Sequence, residues 1–176
     1  MEERSQKIVD AALELAEEGG FEAVRLRELA SRSGVAFGTL YARFSSKEDI
    51  LIAALEQETT KLRELLVANP IREGDPMDRC QPVFQVLSST LLSRPGFARA
   101  VLRSVSSGAG VADKIIRYQD TMNEIIIFSV WGPPDELGLD EAGREQITFA
   151  ARMMQNIWFA ELISWMSDTA SEEDVV

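Results

Sequence analysis

Apolar residues recur at three- and four-residue intervals along nearly the whole chain, and no stretch alternates as a half-buried strand does. The pattern predicts an all-α fold. A first helix is predicted over 4–18, with Ile8, Ala12, Leu15 and Ala16 on its buried face and Gly19-Gly20 as its stop. Phe21 is then expected to start a short extended link. A second helix over 26–33 turns Leu29 and Ala30 inward and ends at Gly34. A third, over 36–44, turns Leu40 and Phe44 inward. Ser45-Ser46-Lys47-Glu48 matches the capping box S-x-x-E. It opens a long helix to about residue 69, with Leu51, Leu55, Glu58, Leu62 and Leu65 on one stripe.

The turn-rich run "NPIREGDP" (69–76) breaks the pattern. A helix over 77–93 follows, in which Pro82 is expected to cause a kink or delay the start. Pro95 suits the first turn of the next helix, 95–106, which "SSGAG" ends. Another spans 111–131 and stops at Gly132-Pro133-Pro134, and the last runs from about 139 to 168. The most apolar stretch, 147–166, contains Arg152, Gln155, Asn156 and Glu161. A membrane helix tolerates that set poorly, so the stretch predicts a buried helix and no membrane partner. The organisation expected is a domain over 1–50 and a second over 51–176, with the junction inside the long helix.

Composition narrows the chemistry. The chain has no histidine and a single cysteine, Cys80. That removes the usual general base, the Ser-His and Cys-His pairs, and the commonest zinc ligand. No metal-spaced carboxylate cluster stands out, so no catalytic residue, cofactor or metal ligand is predicted. The lone cysteine excludes an intrachain disulfide and points to a reducing, cytoplasmic setting. The charged N-terminus has no apolar run of the kind a signal peptide needs.

Charge is distributed unevenly. Residues 1–47 hold seven Lys/Arg against eight Asp/Glu, and the remainder holds eleven against twenty-one. Within 25–47, however, Arg25, Arg27, Arg32, Arg43 and Lys47 face Glu28 alone. A local basic face on a chain of net charge −11 suits an anionic partner, since nucleic-acid binding needs a patch and not a basic average. "LRELASRSGVAFGTLYARF" supplies two short helices with Gly34 at the turn, the outline of a helix-turn-helix. Its second helix would place N-terminal residues against base edges in the major groove.

The ordered set "AALELAEEGGFEA", "LRELA", "GV", "GTLYARF" and "SKEDIL", within 8–51, resembles the DNA-binding domain of the tetracycline-repressor (TetR) family. The second half resembles the family only in its layout of helices. The resemblance implies a DNA-binding three-helix domain joined by a long helix to a helical bundle that binds a ligand and dimerises. It makes Arg27 a base or phosphate contact and Phe37, Gly38 and Thr39 the start of the recognition helix. An arginine grips guanine through two hydrogen bonds, whereas Phe37 offers only apolar contact, as to a thymine methyl, or else packs within the domain. Gly38 would let the backbone approach. Thr39 and Tyr41 offer hydroxyls to phosphate, with the Tyr41 ring expected partly in the core. Arg43 faces DNA one turn from Thr39, and Lys47 meets phosphate at the start of the long helix. Arg25 stands where the family commonly has a Ser or Thr cap and is assigned a phosphate contact instead. Arg32 stays open between DNA and ordinary surface.

For the second half the resemblance implies a small hydrophobic effector. Phe84, Leu87, Leu91, Met122, Ile126, Met154, Trp158 and Leu162 are the candidate lining, any one of which also reads as bundle core. A weaker likeness of "NIWFAELISWMSDTASEEDV" is to family members that control steroid catabolism, which implies a steroid or acyl-CoA ligand. The last helix is apolar on two faces. Ile147, Ala151, Met154, Trp158, Leu162 and Trp165 form one stripe, with Phe149, Met153, Ala160 and Ile163 off it. One face can pack on its own bundle and the other on a second copy, so a homodimer through the last helix is expected. The function expected is a ligand-responsive repressor of a palindromic operator. The rivals are a small helical enzyme and an interaction module without DNA binding.

Overall fold

The computed structural model describes residues 2–107 and 110–175. Eight α-helices follow one another among these residues: α1 (Glu2–Ala23), α2 (Leu26–Ser33), α3 (Phe37–Arg43), α4 (Lys47–Ala68), α5 (Pro76–Leu92), α6 (Pro95–Ser107), α7 (Ala112–Val130) and α8 (Glu141–Met166). Short 3₁₀ turns cover Pro134–Glu136 and Glu172–Asp174, and the described residues include no strand. None of these helices is long and apolar enough to cross a membrane. The predicted stop in "SSGAG" falls partly on residues 108–109, which lie outside the described ones.

Local chemistry corrects several expected boundaries. Helical geometry breaks at Gly19 and Gly20, and the latter has φ 64° and ψ −161°, a conformation closed to side chains with a Cβ. The expected extended link at Phe21 is instead one more helical turn, and Val24-Arg25 make the link. α5 begins at Pro76, well before Pro82, and runs through that proline. The Asp75 side chain accepts the N–H groups of Met77 (2.8 Å) and Asp78 (3.1 Å), which fixes the start upstream. On α4 the buried stripe passes through Leu62 to Leu66, leaving Leu65 exposed.

The chain packs as two compact units. One takes in the chain up to Glu58 together with Ser93–Ile116; the other takes in Thr59–Leu92 and the chain from Arg117 onward. α4 and α7 therefore each begin in the first unit and end in the second. In the first unit, Ile8, Ala12, Leu15 and Ala16 of α1 meet a core that includes Val24, Leu29, Leu40, Phe44, Ile50 and Leu51, all nearly or fully buried. α6 packs on α1, burying Phe97, Ala98 and Ala100. In the second unit the core is built from Leu62 and Leu66 of α4, Val83 and Leu87 of α5, Met122 and Ile126 of α7, and Trp158, Leu162 and Trp165 of α8. At about 25 cal/mol per Å² of apolar surface removed from water, such faces dominate the stability of each bundle.

Candidate nucleic-acid interface and effector cavity

α2 and α3 are joined by the shortest of turns. Gly34 takes the left-handed conformation (φ 67°, ψ 19°) that ends α2, Val35 plugs into the core, and Ala36 opens α3. The pair is thus held from inside by Leu29, Val35 and Leu40, while the rest of α3 faces out. Phe37 is 44% exposed and Tyr41 54% exposed, and their rings pack on each other with centroids 5.4 Å apart. Phe37 therefore lies at the surface and not in the core. The Tyr41 ring, expected partly inside, is also outside, because Leu40 and Phe44 already fill the core-facing positions. A side chain built on Gly38 would meet open space. Thr39, Arg43 and Arg27 are exposed, and neither arginine makes an ion pair among the described residues.

Of the other predicted cations, Arg32 and Lys47 are taken up by ion pairs, and Arg25 makes one bond to a backbone carbonyl. Arg25 is the N-cap of α2 with no side-chain cap bond; its Nε donates to the Glu22 carbonyl at 3.3 Å. Arg32 grips Glu18 at 2.6 Å and approaches Glu14 at 3.8 Å. The bond to Arg32 holds the Glu18 carboxyl below its ordinary value. Lys47 turns away from the α4 terminus: its Nζ donates to the Phe21 carbonyl and to Glu22, each at 3.4 Å, and lies 3.7 Å from the centre of the Phe21 ring. Arg103 of α6 reaches the same Glu22 at 2.9 Å and covers the same ring at 4.3 Å. The Lys47 charge, followed by its hydrogen bond and by Arg103, holds the Glu22 carboxyl low.

The link from α3 to α4 is capped one residue later than the sequence suggests. Ser46, not Ser45, is the cap, accepting the Asp49 N–H at 3.1 Å. Asp49 replaces Glu48 as the returning acid, taking the Ser45 N–H at 2.9 Å and the Ser45 hydroxyl at 3.1 Å. Asp49 is only 8% exposed and forms a close ion pair with Lys114 of α7. Burial would raise its carboxyl, but the bonds from Lys114 and Ser45 outweigh that and hold it below the ordinary aspartate value. Nothing in the sequence signalled Lys114 as part of this site.

The predicted effector residues divide. Phe84, Met154 and Trp158 line one groove of about 310 Å³ with Cys80, Gln81, Ile157, Glu161 and Val175. The Trp158 indole donates to the Ser88 hydroxyl at 2.9 Å, and that hydroxyl donates to the Val175 carbonyl, so the fold-back at Val175 forms one wall. Leu87, Met122, Ile126 and Leu162 are buried in the core of the second unit, and Leu91 is half-buried. A second apolar groove of about 300 Å³, unforeseen, lies between the ends of α4 and α7 and includes Arg63, Leu66, Phe128 and the unpartnered hydroxyl of Ser129. On α8, Phe149 and Ile157 are 64% and 65% exposed, in line with exposed Met153.

Comparison with known proteins agrees with this layout. Residues 8–54 match the family model described as bacterial regulatory proteins, tetR family. The chain is 30% identical over 177 residues to the HTH-type transcriptional repressor KstR of Mycolicibacterium smegmatis, covering 98% of this chain and 81% of that protein. Its fold is similar to a TetR transcriptional regulator from Rhodococcus sp. RHA1, with TM-score 0.80, 27% identity, and coverage of 99% of this chain and 92% of the other. It is also similar to the transcriptional regulator FadR from Bacillus subtilis in complex with stearoyl-CoA, with TM-score 0.63, 22% identity, and coverage of 97% and 91%. The match over nearly the full chain, together with α2, α3 and the surface they present, shows that this chain belongs to the TetR family of bacterial transcriptional regulators.

Proposed function

We propose that the chain is an effector-released repressor whose residues 1–50 bind a palindromic operator and whose residues 51–176 bind a small apolar effector and form a homodimer. The observation that carries this reading is the outward set Arg27, Phe37, Gly38, Thr39, Tyr41 and Arg43. Near it, Glu14, Glu18 and Glu22 of α1 are engaged with Arg32, Lys47 and Arg103. Arg27 and Thr39 specify together with Phe37, while Arg43 positions on phosphate. Arg25 adds a phosphate contact from the start of α2. Lys47 contributes through the backbone amide at the start of α4, its ammonium being held by Glu22.

The homodimer reading is supported by the exposed apolar stripe Phe149, Met153 and Ile157 on α8. Two recognition helices about one turn of DNA apart, ~34–36 Å, would read two half-sites. The effector reading is supported by the apolar grooves at Trp158 and at Phe128 in the second unit. The likeness to steroid-catabolism regulators and to a stearoyl-CoA-bound neighbour favours an acyl-CoA thioester, including one with a steroid body. Because α4 and α7 pass from one unit into the other, a ligand that prefers one arrangement of these helices shifts the DNA-competent population. Linkage sets the test: stearoyl-CoA must bind more weakly to the operator complex than to the free protein, by the same factor that it weakens operator binding. Equal calorimetric affinity in the two states, for stearoyl-CoA and for a steroid acyl-CoA, sinks the scheme.

A further inference from the structure

The residues that join α3 to α4 are fixed from outside the helix-turn-helix. Phe44, Ser45 and Ser46 are all that separate the two helices. Phe44 closes α3, its N–H donating to the Leu40 carbonyl at 2.9 Å, and its ring is buried. Ser45 is held twice by one carboxylate oxygen of Asp49, and Ser46 caps the Asp49 N–H. The other oxygen of Asp49 belongs to Lys114. The same ammonium lies 5.5 Å from the centre of the Phe44 ring. Lys114 thus stands beside the Phe44 ring and holds the carboxylate that holds Ser45, from the first turn of a helix that leaves this unit after Ile116.

An aspartate this deeply buried depends for its charged form on the cation beside it as well as on its bonds from Ser45. Withdraw Lys114 and the carboxylate loses its ion pair, and draws in water or takes up a proton more readily. Either change weakens its two bonds to Ser45, and the direction in which α3 leaves the turn is no longer fixed. Arg103, Lys47 and Glu22 bind α6, α4 and the end of α1 to one another, whereas Asp49 and Lys114 act on Ser45 and Phe44.

We propose that Lys114 is a positioning residue for DNA recognition: through Asp49 and Phe44 it sets how α3 is presented, so that a displacement of α7 reaches the recognition helix without any contact between α7 and DNA. The role rests on the DNA-binding reading above, and one part of its test does not depend on that reading. The chain has two tyrosines, Tyr41 on α3 and Tyr118 one turn beyond Lys114 on α7. Full-length protein labelled with 3-fluorotyrosine therefore gives one fluorine resonance from each helix.

Wild type, K114M, K114R and D49N are compared by fluorine NMR, and by anisotropy on the duplex that wild type enriches from a random library. Expected is a displaced or broadened Tyr41 resonance in K114M and D49N, with recovery in K114R. Enriched-duplex binding by K114M is expected to weaken on the order of tenfold, within the usual range of coupling between separate sites. Helical circular dichroism stays at the wild-type level. An unmoved Tyr41 resonance in K114M and D49N overturns the proposal, whatever happens to affinity; so does wild-type affinity in K114M. If wild type enriches no sequence, the DNA-binding reading falls, while the Tyr41 resonance still decides whether Lys114 governs α3. Should K114M lose its helicity, D49N and K114R decide by the same resonance.

Discussion

Arg27 and Arg43 stand exposed and free of ion pairs among the described residues, while Arg32, Lys47, Arg103 and Lys114 in the same unit are matched to Glu18, Glu22 and Asp49. The difference shows that a basic stretch is not one surface. The +4 run of residues 25–47 separates into charges that build the unit and charges left over to meet an anion. The acidic residues of α1 effect this separation. Glu14, Glu18 and Glu22 pair with cations within the unit, and none of these pairs involves a residue of α3. A surface sorted in this way favours binding at a few contacts over diffuse attraction to any polyanion.

The comparison is broken most severely by removing the free pair. Arg27→Ala with Arg43→Ala is expected to abolish measurable operator binding, each arginine contributing about tenfold or more, while circular dichroism stays unchanged. Retained affinity in an anisotropy titration would remove the α3 face from the interface. The interior counterpart is Leu40→Ala, which leaves every free charge in place. A cavity under α3 should cost about 2–5 kcal/mol of stability in denaturant titration, and operator binding should fall with it. Phe37→Ala tests the apolar part of the face. Its exposed ring predicts a stability change within about 0.5 kcal/mol. Its effect should appear as a relaxed preference at one base position in a binding-site selection.

Acid probes the paired set. Since Lys114 and Ser45 depress the Asp49 carboxyl in the folded state despite its burial, its contribution is present above the unfolded value of about 3.9 and is lost as pH falls through the folded value. Melting temperature should therefore drop more steeply below about pH 4 in wild type than in Asp49→Asn. Parallel curves would contradict the buried pair. The smallest effect is expected from Arg32→Ala, where exposed partners are lost: operator affinity should change less than about threefold. A large loss there would move Arg32 into the interface.

Much of this was legible because helical periodicity is local. Leu29, Leu40 and Phe44 turned inward as their spacing required, and Gly34 made the expected stop, in the left-handed conformation. Errors arose where two local solutions were nearly equal. Ser45-Ser46 followed by Glu48-Asp49 fits a capping box in either of two registers, and the one that lets Asp49 meet Lys114 prevailed. A delayed start at Pro82 was one of two expected effects of that proline, but the cap at Asp75 sets the start of α5 upstream. The Tyr41 ring was expected partly inside, but Leu40 and Phe44 occupy the core-facing positions of α3 and its end. The effector lining was the least legible part. A residue at helical spacing has the same pattern whether it fills a core, as Met122 and Ile126 do, or edges a groove, as Trp158 does.

Gly96 is where α6 meets α1 most closely. A methyl group there would sit 2.6 Å from the Ala16 carbonyl oxygen and 2.8 Å from that of Glu17. These are backbone atoms of the first DNA-domain helix, and Glu17 also accepts the Phe97 N–H at 3.2 Å. No rotamer change can relieve such a collision, so any side chain at Gly96 forces one helix off the other. For a geneticist, this makes residue 96 a place to look for derepressed alleles. In a reporter screen it should behave like a lesion in the helix-turn-helix while lying far along the chain from it, and even alanine should be enough.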